Sequence, residues 1–173
     1  MKFVACTLET HGAAILDILN EQIRTSTAVY EYVPRKLDSM TAWFKTKELK
    51  NYPVIGAEND AGVLMGFATY GMFRDRPAYK YTVEHSVYVH KDHRRKGLGK
   101  ILMERLIVAA REQDLHVMVG GIDATNAVSI ALHEQLGFVH AGTIRQSGFK
   151  FGQWLDLAFY QLTLQTPLQP IDG

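Results

Sequence analysis

A basic segment with two glycines is the part of this sequence best suited to chemistry. Residues 93–100 read His-Arg-Arg-Lys-Gly-Leu-Gly-Lys, follow an apolar strand pattern and run directly into an amphipathic helix pattern. The N-terminus of a helix leaves backbone N–H groups unpaired, and the helix dipole favours negative charge there. Gly97 and Gly99 would let the backbone approach a ligand closely. The segment therefore predicts a phosphate or pyrophosphate site, whereas its basic residues without this context would indicate only a solvated turn.

Two other kinds of site are disfavoured by residue spacing. A Walker loop requires a glycine, four residues and then Gly-Lys-Ser/Thr, and a dinucleotide fingerprint requires a third glycine where this chain has Leu102. His85, His90 and His93 fall on a strand and a loop without a fourth ligand at a recognisable spacing. We therefore expect neither nucleotide motif and no metal.

The elements around the basic segment alternate between strand and helix patterns. Helical spacing predicts one helix after Thr10 and others over residues 38–47, 97–113 and 126–136. Thr10 and Thr125 are the expected N-caps, and residues 25–37 are expected to form a loop near an opening. This order predicts an α/β fold with a mixed sheet and a C-terminal tail over about 166–173. The predicted strands are 2–8, 53–57, 63–70, 80–89, 115–121, 138–146 and 154–164.

Two segments about thirty residues apart resemble the GNAT superfamily of N-acetyltransferases. The superfamily signature, Arg/Gln-x-x-Gly-x-Gly/Ala, is matched by Arg94, Gly97 and Gly99, and a helix opening at Asn126 and ending in Leu-Gly-Phe at 136–138 follows. The resemblance implies a GNAT-type mixed, mostly antiparallel twisted sheet flanked by helices, in a single domain over residues 1–173. Segments that further resemble the phosphinothricin acetyltransferase group are 83–89, 126–138, 142–145 and 149–156.

The resemblance implies an acetyl-coenzyme A site. Backbone amides from Arg95 to Lys100 would bind the pyrophosphate, and residues 86–89 would hydrogen-bond the pantetheine arm like an added strand. A backbone N–H near Val89 would meet the oxyanion that forms on the thioester carbonyl. The predicted cofactor-binding residues are Val87, Tyr88, Val89, Arg94, Arg95, Lys96, Gly97, Leu98, Gly99, Lys100, Asn126 and Ser129.

Glu84 and His133 are the candidate catalytic residues. Acetyl transfer requires a neutral amine, yet the pKa of a peptide α-amino group is about 7.7–8.0 and that of a free amino acid is higher. Glu84 could remove the proton directly or through a water, or could instead be a carboxylate paired with a nearby arginine or lysine. Many superfamily members have a tyrosine where this chain has His133. Histidine there could protonate the leaving thiolate, deprotonate the amine or serve a structural role.

The group resemblance implies a small amino-acid analogue as the acceptor. Members of the group acetylate the α-amino group of phosphinothricin, methionine sulfoximine and methionine sulfone, a detoxifying reaction. Arg74 and Arg76, in the loop before the central strand, could bind the acceptor's carboxylate or phosphinate or be solvated surface residues. Tyr30, Glu31 and Glu84 complete the predicted substrate-binding set. The sequence leaves open which of these amines is the physiological acceptor.

Composition excludes several other classes of protein. The chain has 173 residues, of which 47% are apolar and 21% charged, as in ordinary globular domains. Lys and Arg number 19 against 18 acidic residues, so no general basic field predicts nucleic-acid binding. A single cysteine, Cys6, and the lack of a signal-peptide or membrane-span pattern predict a cytoplasmic protein that binds no membrane. The group resemblance also implies a homodimer.

Two alternative functions stay open at this point. The same coenzyme site could acetylate a protein N-terminus or a lysine, which a peptide groove and acidic patches would favour. The chain could also be an acyl-coenzyme A sensor that keeps the phosphate loop without competent catalysis. The presence of both Glu84 and His133 argues against the sensor.

Overall fold

The computed structural model describes residues 1–172, so Gly173, the last residue of the predicted tail, lies outside the described residues. Every predicted strand and helix is present in it, with shifted boundaries. The helices are α1 (Leu8–Thr25), α2 (Leu37–Leu49), α3 (Leu98–Glu112) and α4 (Ala127–Gln135). The strands are β1 (Lys2–Ala5), β2 (Val54–Glu58), β3 (Leu64–Met72), β4 (Thr82–Val89), β5 (Val117–Asp123), β6 (Val139–Lys150) and β7 (Gln153–Thr163).

The strands form one sheet in the order β1-β2-β3-β4-β5-β7-β6. Strands β1 and β2, β2 and β3, β5 and β7, and β6 and β7 pair antiparallel, whereas β4 and β5 pair parallel. The parallel pair is possible because α3 supplies the crossover connection that two parallel strands require. The predicted mixed, mostly antiparallel α/β fold is confirmed.

One compact unit comprises Met1–Tyr70 and Ser86–Leu106. Its core joins one face of α1 to α2 and to the β2–β3 hairpin, with Ile15, Met40 and Phe67 fully buried. The predicted helix is confirmed by α1, but its predicted N-cap, Thr10, is wrong. Thr7 caps the helix, because its side chain accepts the N–H of Thr10.

The second compact unit comprises Gly71–His85 and the described residues from Ile107 onward. Strand β4 therefore contributes residues to both units. The hairpin of β6 and β7 turns at two residues, Phe151 and Gly152, whose φ angles of 52° and 75° both lie in the left-handed region. Two consecutive positive φ angles match the twist of a two-residue hairpin. The prediction that residues 1–173 form a single domain stays a prediction.

The start of α4 corrects a second cap prediction. Asn126, not Thr125, is the N-cap, because its side-chain oxygen accepts the N–H of Ser129. Thr125 instead donates its hydroxyl to Asp123 Oδ1 at 2.8 Å. Gly137, with φ of 87°, occupies the left-handed position that commonly ends a helix. Within residues 1–172, no helix combines the length and the apolar character that crossing a membrane requires.

Candidate functional site

The basic segment forms a loop whose backbone leads directly into α3. Arg95 and Gly97 have φ angles of 61° and 75°, a left-handed conformation that glycine adopts without steric cost. The Gly97 carbonyl accepts the N–H groups of Lys100 and Ile101, at 3.1 Å and 3.3 Å. The N–H groups of Leu98 and Gly99 therefore lie in the first turn, where a helix offers no acceptor. This arrangement can bind an anionic group through the backbone.

The basic side chains of the loop differ in what they contact. Arg94 donates from Nε to the Val89 carbonyl at 3.1 Å and forms an ion pair with Glu21. Lys96 donates to the Asp92 carbonyl at 3.3 Å. Arg95 is exposed and has no hydrogen-bond or ion-pair partner within residues 1–172. Arg94 therefore holds the loop in place, and Arg95 is the loop arginine available to a ligand.

The end of β4 carries the residues predicted to hold the pantetheine arm. Val87, Tyr88 and Val89 are each partly buried. The Tyr88 ring packs on Phe67, with ring centroids 5.6 Å apart. Gly66 of β3 lies against this backbone: a Cβ atom there would stand 2.8 Å from the Tyr88 carbonyl oxygen. The close approach of the two strands at this point therefore requires glycine.

Glu84 lies on β4 with its side chain half-buried, and it pairs across the sheet with Val119 of β5. Burial raises the pKa of its carboxyl group, and the positive charge of Arg74 partly opposes that shift. Within the described part of the chain, no donor hydrogen-bonds this carboxylate and no lysine or arginine forms an ion pair with it. Glu84 thus has the properties of a proton acceptor rather than of a structural ion pair.

The structure brings His85 and His133 together, although they are 48 positions apart. Both are buried, at 8% and 2% exposure, and their Nε2 atoms lie 3.0 Å apart. His133 Nδ1 donates to the Ser129 carbonyl at 2.6 Å. His133 must then accept at Nε2, so the bond between the rings requires a proton on His85 Nε2. That tautomer leaves the buried His85 Nδ1 without a proton, and this atom has no partner within residues 1–172.

Burial keeps this histidine pair neutral. It lowers the pKa of His85 to about 3, with a smaller contribution from His133. It also lowers the pKa of His133, against the opposing effect of the hydrogen bond to Ser129. Phe138 packs edge-on against both rings, at centroid distances of 5.5 Å and 5.1 Å. Both nitrogens of His133 are therefore engaged inside an apolar surround, which makes it poorly suited to exchange protons with a ligand.

Asn126 and Ser129, the predicted cofactor residues of α4, lie in the first turn of that helix. The Asn126 side-chain oxygen caps it, and the Ser129 carbonyl accepts from His133. His133 thereby fixes the backbone of the turn that contains both residues. Their contact with a cofactor stays a prediction.

The predicted acceptor-binding residues occupy two places. Arg74 and Arg76 are exposed in the loop before β4; Arg74 stacks on the Phe73 ring at 5.2 Å, and Arg76 donates to the Asp75 carbonyl at 2.9 Å. In the loop after α1, Tyr30 is 39% exposed and Glu31 forms an ion pair with Arg35. Arg74 and Glu84 both belong to the second compact unit, and the positive charge of Arg74 is close enough to lower the pKa of the Glu84 carboxyl group.

Two residues of this region were missed from the sequence. In the sequence His85 stands out only as one of three neighbouring histidines, yet in the structure it is the hydrogen-bond partner of His133. Within residues 1–172, no three His, Cys, Asp or Glu side chains group as metal ligands. Gly121 of β5 lies beside Glu84, where a Cβ atom would stand 3.1 Å from Oε1. The spacing of residues 84, 121 and 133 carries no signal for these contacts, because they depend on strand register and helix packing.

Comparisons with known proteins show the family to which the chain belongs. The model of the Acetyltransferase (GNAT) family matches residues 14–138. An L-methionine sulfoximine/L-methionine sulfone acetyltransferase of Pseudomonas aeruginosa is 47% identical over 150 residues, 87% of each chain. A phosphinothricin N-acetyltransferase of Streptomyces viridochromogenes is 37% identical over 160 residues, 91% of this chain and 85% of the relative.

Solved structures show the same similarity. A proposed acetyltransferase from Acinetobacter baylyi ADP1 has a TM-score of 0.99 at 62% identity, covering 99% of this chain and 96% of the other. A proposed acetyltransferase from Salmonella typhimurium, determined with its cofactor acetyl-CoA, has a TM-score of 0.94 at 42% identity, covering 99% and 98% of the two chains. The family resemblance read from the sequence is confirmed.

Proposed function

Because the chain belongs to the acetyltransferase (GNAT) family, we propose that it transfers the acetyl group of acetyl-coenzyme A to the α-amino group of small amino-acid analogues. Methionine sulfoximine and methionine sulfone are the first candidates, because a relative that is 47% identical is named for them. Phosphinothricin is the next candidate, because a relative that is 37% identical is named a phosphinothricin N-acetyltransferase. The observation that carries the chemistry is the half-buried Glu84 carboxylate, whose pKa is raised and which no donor in the described chain occupies.

The loop over residues 94–100 fits the coenzyme's pyrophosphate. It offers first-turn amides at Leu98 and Gly99, and the exposed Arg95 has no carboxylate partner in the described chain. Acetyl-coenzyme A would supply the electrophile, an acetyl thioester. The chain's own part is to bind it through the backbone of residues 95–100 and of Val87–Val89, with the Val89 N–H directed at the carbonyl oxygen.

Glu84 would remove a proton from the acceptor's ammonium group, directly or through one water. The freed amine would then attack the acetyl carbonyl: the C–N bond forms first, with negative charge on the carbonyl oxygen near the Val89 N–H, and the C–S bond breaks as the carbonyl re-forms. The nitrogen's second proton would pass to the departing thiolate, and Glu84 would release the first proton to solvent. A raised pKa suits Glu84 to the first transfer, because a stronger base is a better match for an ammonium group.

His133 has a positioning role in this proposal rather than a role as acid to the thiolate or base to the amine. Its Nδ1 is bound to the Ser129 carbonyl and its Nε2 faces His85. It would hold the first turn of α4, including Asn126 and Ser129, in the geometry that receives the coenzyme. A change at His133 would then alter coenzyme affinity together with turnover.

Arg74 and Arg76 would bind the acceptor's anionic groups. Both are exposed, and the charge of Arg74 already acts on Glu84, so an acceptor carboxylate held by Arg74 would have its amine near the base. This is the arrangement an α-amino acid requires, since its amine and carboxylate are separated by one carbon. Tyr30 and Glu31 complete the proposed acceptor-binding set.

We also propose a cytoplasmic homodimer that forms through the β6–β7 hairpin. β6 is an edge strand, and the hairpin exposes Val139, Ile144, Phe149, Phe151 and Trp154, each 46–61% accessible. Exposed apolar patches of this kind mark interaction surfaces, and a sheet edge presents unpaired backbone groups. Sedimentation equilibrium should give twice the chain mass. Ile144→Glu should shift it to the monomer, and a monomeric wild type would refute the dimer.

The test of function is thiol release from acetyl-coenzyme A across a panel of acceptors: methionine sulfone, methionine sulfoximine, phosphinothricin, simple amines and a lysine peptide. Preferential turnover of the amino-acid analogues would support the proposal. Preferential turnover of the peptide would replace it with protein acetylation. Tight coenzyme binding without any turnover would favour an acyl-coenzyme A sensor.

A further inference from the structure

A cleft of about 430 Å³ lies in the first compact unit, beside the edge strand β1. It is lined by residues 3–6, by residues of α2 and α3, and by the segment 52–55 that leads into β2. Its volume lies within the range of about 300–1,000 Å³ that is usual for small-molecule sites. None of the described residues that line this cleft, the β1 cleft, belongs to the predicted catalytic, coenzyme-binding or acceptor-binding sets.

Most of the wall of the β1 cleft is apolar. Phe44 and Val54 are buried members of the core, whereas Phe3 and Ile55 are only partly buried. Part of the apolar surface of Phe3 and Ile55 therefore stays in water. A ligand with an apolar body would cover that surface, and burial of apolar surface favours binding.

Two cations, Lys47 and Arg105, also line the β1 cleft, and neither forms an ion pair with a carboxylate within residues 1–172. Lys47 Nζ donates to the Tyr70 carbonyl at 2.6 Å and lies 5.2 Å from the centroid of the Trp43 ring. The guanidinium carbon of Arg105 lies 3.8 Å from the centroid of the Phe3 ring. An ammonium group has three N–H donors and a guanidinium group has five, so both side chains keep donors for a ligand.

No acidic residue lines the β1 cleft within the part of the chain that the structure describes. Burial raises the pKa of the Cys6 thiol to about 12, with a smaller contribution from Glu58, and burial also raises the pKa of Tyr52. Glu58 is outside the lining and hydrogen-bonds His11 at 3.0 Å. Burial lowers the pKa of Lys47 to about 8, so its ammonium form still predominates at pH 7. The lining is therefore cationic, and an anion beside a partly desolvated cation is favourable.

We propose that the β1 cleft is a binding site for a small carboxylate with an apolar body, in addition to the coenzyme and acceptor sites. The carboxylate meets Lys47 and Arg105, whose planar guanidinium group can donate two parallel hydrogen bonds to it. The apolar body lies against Phe3 and Ile55. This inference does not depend on the proposed function, because it concerns binding to residues that take no part in acetyl transfer.

The central experiment measures the binding of octanoate to the full chain by isothermal titration calorimetry at pH 7. Octanamide has the same shape without the charge, and inorganic phosphate has charge without the apolar body. Each should bind weaker than octanoate by about tenfold or more, because only octanoate satisfies both the cations and the apolar wall. Absence of octanoate binding, or equal binding of octanamide, would overturn the inference.

Lys47→Met tests the cation itself, because methionine keeps an unbranched apolar side chain and removes the charge. The octanoate Kd should rise about tenfold. Lys45→Met is the matched control: it removes an exposed charge from the same helix, outside the cleft lining, and should leave the octanoate Kd unchanged. An octanoate Kd that is the same in folded Lys47→Met and in the wild type would overturn the inference.

Arg105→Met decides the matter if Lys47→Met does not fold, because Arg105 is exposed on α3 and its loss should leave the fold intact. The octanoate Kd should rise about 3- to 10-fold, and an unchanged Kd would overturn the inference. Octanoate should also raise the pKa of Lys47 in the wild type, measured by NMR with ¹³Cε-labelled lysine, since a nearby negative charge favours the ammonium form. A Lys47 pKa that octanoate does not change would count against the site.

A carboxylate could also bind at the proposed acceptor site, and Arg74→Ala separates the two sites. This variant should bind octanoate like the wild type, because Arg74 does not line the β1 cleft. If Arg74→Ala loses octanoate binding and Lys47→Met keeps it, the carboxylate occupies the acceptor site and the inference is wrong.

Discussion

Two regions of the molecule depend on different physical properties. They are the loop over residues 94–100 and the region around Glu84, His85 and His133. The loop is exposed and depends on backbone geometry, with left-handed residues at Arg95 and Gly97 that direct the first amides of α3. The second region depends on burial, which raises the pKa of Glu84 and lowers those of both histidines. Binding of an anion by backbone groups is therefore sensitive to φ angles, whereas proton transfer is sensitive to packing.

The largest effect should come from removing the proton acceptor. Glu84→Gln keeps the shape of the side chain but cannot accept the amine's proton, so kcat should fall about 10²- to 10⁴-fold. The acetyl-coenzyme A Kd, measured by calorimetry, should be unchanged, because coenzyme binding belongs to the loop. Turnover equal to that of the wild type would show that Glu84 is not the base, and the region around Glu84 would then not be the place of proton transfer.

The buried histidine pair should make the fold sensitive to acid. Burial lowers the pKa of His85 from 6.5 to about 3, so below pH 6.5 the unfolded chain binds a proton that the folded chain does not. The contribution of His85 to the free energy of unfolding should therefore be fully present above pH 6.5. It should fall by about 1.4 kcal/mol per pH unit as the pH drops toward 3.

His85→Gln isolates this contribution, because glutamine does not titrate. Urea unfolding at pH 7 and pH 5 should show a smaller loss of stability in the variant than in the wild type. Equal losses would show that other groups dominate the acid sensitivity.

A backbone change in the loop should act on coenzyme binding alone. Gly97 has a φ of 75°, which costs a residue with a Cβ about 1–2 kcal/mol, so Gly97→Ala should raise the acetyl-coenzyme A Kd about 5- to 30-fold. Gly62→Ala is a matched control, because Gly62 has a φ of 77° in the β2–β3 turn. If both variants bind the coenzyme like the wild type, the left-handed loop geometry is not what recognises it.

Arg74→Ala should change both the binding of the acceptor and the pKa of the base, Glu84. We expect a 3- to 10-fold rise in acceptor KM with little change in the coenzyme Kd, since an exposed charge pair is screened by solvent. Arg74 lowers the pKa of Glu84, so its loss should raise that pKa and move the acid limb of kcat/KM to higher pH. A pH-rate profile that coincides with the wild type would make Arg74 an ordinary surface charge.

The smallest effect is expected at Arg95, which is exposed and has no ion-pair partner in the described chain. Arg95→Ala should weaken acetyl-coenzyme A binding about 2- to 5-fold, and the difference should shrink in high salt because exposed charges are screened. A larger loss that persists in salt would mean that this side chain, rather than the backbone, dominates pyrophosphate recognition.

Sequence by itself determined the features of this protein that are local along the chain. The glycines and basic residues at 94–100, the strand before them and the helix after them are contiguous, so their pattern predicts the loop and the family. The spacing of apolar residues likewise predicts each strand, with a period of two, and each helix, with a spacing of three to four. The predicted caps at Thr10 and Thr125 are wrong, because several nearby residues can serve as caps.

Tertiary structure alone decided which distant groups meet. The contact of His85 with His133 depends on where α4 packs against the sheet, and the close approach of Gly121 to the Glu84 side chain depends on the register of β5 with β4 and β7. The shifted pKa values follow from that packing, because burial and neighbouring charges are properties of the folded chain. This is why the sequence predicts a carboxylate base at Glu84 but not the environment that suits it to the role.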